Sequence, residues 1–318
     1  MFTPINPGRR TMVRIAASAA FIAALVVPAA RLQATAPGRN GLIVYQATVG
    51  AHVQLFTVRS DGSDNMQLTS LPDSDATGAS WSADGSRLVF ERDFTDHNEV
   101  ATMNADGSDM TSLLSGQVFF PSFSPNGKEI VFDRYLPEGE GLWIMNAHGR
   151  GLRQITRNEP AGPGECRCEY SPVFSPDGKR IVFVRQINDQ TTAVFVVDKN
   201  GRNLTQLTPW ALGVSVKVDW SPDGTKILVS TPQGERQGTA SNVITMRPDG
   251  RRLTQLTFDT TPGMRNFADS FSPDGRKIVF ARTDTNGLQL HVMNADGTHS
   301  RQITNGDDAH WASWGSHR

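Results

Sequence analysis

From residue 41 onward the chain alternates short apolar runs with glycine-containing polar turns, and the alternation repeats. One unit is an aromatic residue, a Ser-Pro-Asp-Gly turn, two variable residues and an aliphatic triplet. It reads WSADGSRLVF at Trp81–Phe90, FSPNGKEIVF at Phe123–Phe132, FSPDGKRIVF at Phe174–Phe183, WSPDGTKILV at Trp220–Val229 and FSPDGRKIVF at Phe271–Phe280. A second unit, an apolar strand, an Asp-Gly type turn and a strand ending near Thr, occupies 55–69, 100–114, 142–156, 194–208, 243–257 and 290–304. The two units alternate strictly. Proline presets φ at the first turn position and glycine accepts the left-handed conformation of a tight hairpin, so each unit predicts a hairpin of strand-length apolar runs. Two hairpins per repeat make four strands, and residues 41–318 shared among six copies give a period of about 46. Four short strands at such a period predict a propeller blade.

The count of the units predicts how the ring closes. The aromatic-turn unit has five full copies and the other has six. The missing copy is split between the chain ends, with Ala312-Ser313-Trp314-Gly315 matching its first strand and Gly41-Leu42-Ile43-Val44-Tyr45 its second. The expected fold is therefore all-β, a six-bladed β-propeller of four-stranded antiparallel blades. It closes by pairing the N- and C-terminal strands in one blade, which leaves no open sheet edge in the ring.

These repeats resemble the WD40-like (PD40) propeller repeats of the TolB family. That pattern has Pro-x-Trp-Ser-Pro-Asp-Gly, an Ile-Ala-Phe-like strand and a Met-Asn-Ala-Asp-Gly turn followed by Arg-Gln-Leu-Thr. The resemblance covers residues 41–318. It implies the propeller fold and, by family habit, a periplasmic role in an envelope complex with a peptidoglycan-associated lipoprotein. TolB proteins place an α/β domain before the propeller, and this sequence is expected to lack it.

The first 36 residues have another character. Arg9, Arg10 and Arg14 precede an apolar run from Ile15 to Val27, followed by small residues around Ala29-Ala30 and Ala34-Thr35-Ala36. This predicts a secretory signal peptide over 1–36 and a single propeller domain over 37–318, with cleavage after Ala36 or a few residues earlier. The run is shorter than the ~20 residues of a spanning helix. Arg9-Arg10 resembles a twin-arginine export signal if translation starts at Met1, and Sec export follows if it starts at Met12. The expected product is periplasmic or secreted, without a membrane span, and monomeric. Lys plus Arg (31) nearly balance Asp plus Glu (32), and removing the signal leaves 27 basic residues against 32 acidic. Such a chain has no electrostatic grip on nucleic acid.

Candidate chemistry is sparse. Asn104-Ala105-Asp106-Gly107 has part of a calcium-loop pattern, yet it recurs as a hairpin turn and no terminal Glu follows in register. Cys166 and Cys168, the only cysteines, supply too few ligands for structural zinc and are expected as a local disulfide or free thiols. No nucleophile elbow, His-Glu-x-x-His or phosphate loop occurs. No metal or cofactor is therefore expected. The aromatics Trp81, Phe123, Phe174, Trp220, Phe271 and Trp314, fixed before every turn, are expected between blades.

Topology sets both repeated turns on one face and the variable connections on the other, where recognition is expected. Aligning the residues ahead of each inner-strand aromatic places Phe119, Phe120, Tyr170, Phe267, His310 and Trp311 around the channel mouth, with Asp269 and other charges, among them Glu169, nearby. The sequence thus predicts a non-catalytic scaffold binding a protein or envelope component there. Two alternatives stand beside it: a metal-dependent lyase or hydrolase using His97, His310 and carboxylates, and a binder of glycans or small ligands.

Overall fold

The computed structural model describes residues 38–137, 139–158, 168–188, 191–231, 240–261, 263–284, 287–306 and 308–317. The expected signal segment 1–36 and Cys166 lie outside the described residues. Six four-stranded antiparallel sheets form the ring, named blades I to VI in chain order. Blades II to VI run from inner to outer strand in sequence. Their inner strands are Asp75–Trp81, Val118–Phe123, Glu169–Phe174, Val218–Trp220 and Asn266–Phe271. Blade I takes its inner strand, His310–His317, from the C-terminal end and its other three, Arg39–Val49, His52–Val58 and Met66–Gln67, from the N-terminal end. Ile43 faces Trp314 and Val44 faces Ser313, which is the predicted closure.

The apolar triplets are continuous rather than alternating because every blade is buried on both sides. Side chains on a strand alternate in direction, and here both directions lead to a core. Ile181 and Phe183 enter the seam between blades III and IV, while Val182 and Val184 enter the seam between IV and V. Six such clusters fill the six seams. The aromatics Phe174, Trp220, Phe271 and Trp314 are buried there as expected. Trp81 packs on the core between blades I and II as well, but is half-buried: it also lines the central channel and donates its indole N–H to Ser313 O at 3.2 Å. Gly315 of blade I packs against its ring, and a Cβ there would stand 2.7 Å away.

The serine of each Ser-Pro-Asp-Gly turn has a role that turn propensities did not identify. Ser82 Oγ donates to Asp84 Oδ1 (2.8 Å) and accepts the Arg87 N–H (3.0 Å), closing the hairpin from within. Ser175 repeats both contacts with Asp177 and Arg180. In the second hairpin the glycine meets the next constraint: its α-carbon lies against the outer strand of the preceding blade. A Cβ on Gly250 would be 2.3 Å from Leu207 O, and one on Gly201 would be 2.6 Å from Ile155 O. These turns thus join blades as well as strands. Among the described residues no helix is long and apolar enough to cross a membrane.

Candidate functional site

The inner strands do not run straight to the variable face. Their pairing registers shift between Thr77 and Ser80, Phe119 and Ser122, Tyr170 and Val173, and Ala268 and Ser270. Such bulges redirect side chains. At them Gly78, Phe120, Ser171 and, in blade I, Trp311 adopt left-handed backbone, with φ of +59°, +52°, +48° and +55°. For bulky residues this is a costly conformation, worth about 1–2 kcal/mol per residue.

The bulges bring aromatic residues from separate blades together. Phe120 of blade III stacks on Trp311 of blade I, with centroids 5.3 Å apart and planes 14° apart, and meets Tyr170 of blade IV edge-on at 5.7 Å. Blade II, which lies between I and III, carries Gly78 at this position, so no side chain stands between the two rings. Lys217, just ahead of the inner strand of blade V, places Nζ 5.4 Å from the centre of the Trp311 ring. It donates to Ala312 O (2.7 Å) and pairs with Asp269 (3.3 Å). Burial pulls the Lys217 ammonium below its usual value and pushes the Asp269 carboxyl above its own, each opposed by the attraction of the other. Behind the rings the channel holds a cavity of ≈ 90 Å³, reached by Phe120, Trp311, Ser171, Lys217, Asp269 and Trp81.

A belt of side-chain acceptors holds these strands in place. Each receives a backbone N–H from the following blade: Gln46 from Gly78 (3.0 Å), Glu91 from Phe120 (3.3 Å), Ser230 from Ala268 (2.6 Å), Asp219 from Phe271 (2.8 Å) and Asp269 from Ala312 (3.0 Å). The price is several carboxyls out of water. Burial, with Asp93 adding repulsion, raises Glu91 well above the carboxylate range, and burial raises Asp219 to about 6.

Of the residues expected at the mouth, Phe120, Trp311 and Asp269 line the channel cavity and Tyr170 closes on Phe120. Phe119 lies beside Phe120, with centroids 6.3 Å apart. Phe267 instead packs on the core between blades VI and I. His310 is engaged locally: Nδ1 contacts Asp308 O (2.7 Å) and Nε2 contacts the Gln46 amide nitrogen (3.2 Å), an arrangement that fits the Nδ1–H tautomer. His97 stacks on Phe94 and pairs with Asp96 at 2.7 Å, so the two histidines of the enzyme alternative share no partner. Glu169, expected among the surface charges, is fully buried in an ion pair with Arg185. Cys168 is disulfide-bonded. Lys217 was missed as a site residue, although it occupies the same aligned column as Phe120 and Trp311 and is the only cation there.

The PD40 family, described as the TolB beta propeller domain, matches residues 164–316. The solved TolB of Acinetobacter baumannii superposes with a TM-score of 0.70 at 20% identity, covering 87% of this chain and 67% of that one. Over the matched residues the propeller is TolB-like. Its sequence is 35% identical over 88 residues to the Tol-Pal system protein TolB of Anaeromyxobacter dehalogenans (strain 2CP-C), covering 27% of this chain and 18% of that protein. It is also 27% identical over 139 residues to the uncharacterized peptidase YuxL of Bacillus subtilis (strain 168), covering 35% of this chain and 21% of that protein. The chain thus matches about a fifth of the length of these curated relatives.

Proposed function

We propose that the protein is a non-catalytic binding scaffold outside the cytoplasm, recognising a protein or cell-envelope component through the variable face at the channel mouth. The observation that carries this reading is the Phe120–Trp311 stack, two large rings kept on left-handed backbone at the convergence of several blades. Every Ser-Pro-Asp-Gly turn gives this region of φ to glycine and the second hairpins give it mostly to short polar residues, whereas here it is held by two large rings. Unfavourable backbone retained under half-buried aromatic groups is a recurrent mark of a functional surface. Tyr135 of blade III and Phe258, just after the outer strand of blade V, are 57% and 74% exposed and add apolar contact area. The signal-like segment 1–36 supports placement in the periplasm or outside the cell, and the TolB likeness supports an envelope partner.

Cross-linked capture from envelope extract tests this, with wild type run beside a Phe120→Gly, Trp311→Gly variant whose fold is confirmed by circular dichroism. Enrichment of one partner by wild type and its loss in the variant is the expected result. Equal capture by both proteins would move the site elsewhere. A second reading, a small polar ligand in the channel, is favoured by the cavity beside Lys217. Thermal stabilisation by a sugar or small acid, abolished by Lys217→Met, would select it over a protein partner.

A further inference from the structure

Blades III and IV meet over three buried carboxyls and one guanidinium. Asp133, Glu140 and Glu169 are 3%, 6% and 0% exposed. Glu169 is fully engaged. Arg185 donates to it from Nε (3.0 Å) and Nη2 (2.5 Å), the Leu142 N–H donates at 3.1 Å, and the Thr156 hydroxyl adds a further bond. This leaves Asp133 and Glu140, diagonal neighbours on paired strands of blade III, to interact with each other. Two carboxyl groups share a hydrogen bond only while one of them holds a proton. Glu140 also crosses the seam, since its Oε1 accepts the Glu169 N–H at 2.6 Å. Asp133 Oδ1 has no hydrogen-bond partner. The groups facing the pair are Glu169 and Arg185 from blade IV and the Arg134 backbone N–H from Asp133's own strand. The single cation among them is already matched by Glu169.

We propose that the Asp133–Glu140 pair is a proton-operated latch on the seam between blades III and IV, and through it on the channel mouth. With the pair protonated the seam carries one balanced ion pair. Each proton lost adds a buried negative charge that no cation offsets, and such a charge is strongly destabilising. The latch acts near neutrality: burial first, then repulsion from Glu140, holds Asp133 well above the carboxylate range, and burial holds Glu140 at about 7. A carboxyl raised on folding contributes its stability below its unfolded value and loses it as pH rises through the folded one. The seam is therefore tight in mild acid and loosens as pH passes 7.

The latch touches the mouth at two points. Phe119 is the cross-strand partner of Asp133, and Tyr170 directly follows Glu169. Its effect on binding rests on the scaffold reading above, whereas the latch itself does not. It is tested without a partner, by hydrogen exchange of the intact protein between pH 5.5 and 8.5, corrected for intrinsic exchange and read on peptides covering 139–146 and 168–174. The opening equilibrium of these peptides in wild type should rise by roughly 30-fold across that range. Glu140→Gln, whose amide oxygen still accepts the Glu169 N–H, should abolish most of the rise. Asp133→Asn provides a second variant should the first not fold. A flat wild-type profile, or a wild-type rise kept in the folded variants, would overturn the latch.

Discussion

Left-handed backbone occurs on both faces of this propeller, and the residues that take it differ. On the turn face it falls on glycine in every Ser-Pro-Asp-Gly copy, as at Gly85 and Gly275, with φ of +68° and +70°, and in the second hairpins also on Asp64, Asp109, Asn203, Arg252 and His299. At the channel mouth the same region of φ is taken by Phe120, Ser171 and Trp311. The Ser-Pro-Asp-Gly turns are filled to suit the backbone, whereas the mouth keeps two large aromatic rings against it. Where a side chain is kept against the preference of its own backbone, its use lies in what it touches. At the mouth that is other aromatic rings and the channel. The turn face serves assembly, as Gly250 and Gly201 show by seating one blade on the carbonyls of the preceding one.

The largest test of this contrast is on the turn face. Gly250→Ala would force a Cβ to 2.3 Å from Leu207 O at a φ of +76°, and should cost about 3 kcal/mol in chemical denaturation. Gly127→Ala, with φ of +67° and nothing within 4 Å of the new Cβ, meets only the backbone penalty and should cost about 1 kcal/mol. Similar losses for the two would break the claim that the second-hairpin glycines join blades.

The belt beneath the mouth gives the next effect. Asp219 is raised to about 6 by burial, so its contribution is complete below the ordinary aspartate value and is lost as pH climbs through 6. Thermal melts of Asp219→Asn against wild type should show the variant gaining about 2 kcal/mol in relative stability from pH 4 to pH 8. A constant difference across that range would mean the carboxyl titrates normally.

The smallest stability effect belongs to the mouth itself. Phe120→Gly relieves the left-handed backbone but loses the stack on Trp311, terms of about 1 kcal/mol that oppose each other. The melting temperature should barely move while partner capture falls. A large loss of stability would recast the aromatic stack as a structural plug and remove its claim to recognition.

Much of the fold was legible because each repeat makes its turns with its own residues. Pro, Asp and Gly act within a few positions of one another, so six copies with one split pair specified six blades and their closure. The aromatic column was legible on the same ground, since five of its six members are deeply buried in the seams. Trp81 keeps the same place between blades I and II but stays half-buried, since it also faces the channel.

The mouth was legible only as an alignment. Aligned columns name the residues that reach one height in the ring, and Phe120 and Trp311 were found that way, with Asp269 noted nearby. They could not show that bulges rotate Phe120 and Trp311 into contact, leave Phe267 in the core and bring Lys217 over an indole. Nor could they show that Glu169, written like any loop carboxylate, is sealed with Arg185 beside a pair that shares a proton. The sequence by itself determined the number of blades, the hairpins and the closure, because these depend on local turn chemistry and on pleat alternation. Only the tertiary structure decided which side chains meet at the axis and which carboxyls lose their water. Those outcomes depend on the bulges in the inner strands and on the neighbouring blade, and neither is encoded within a single repeat.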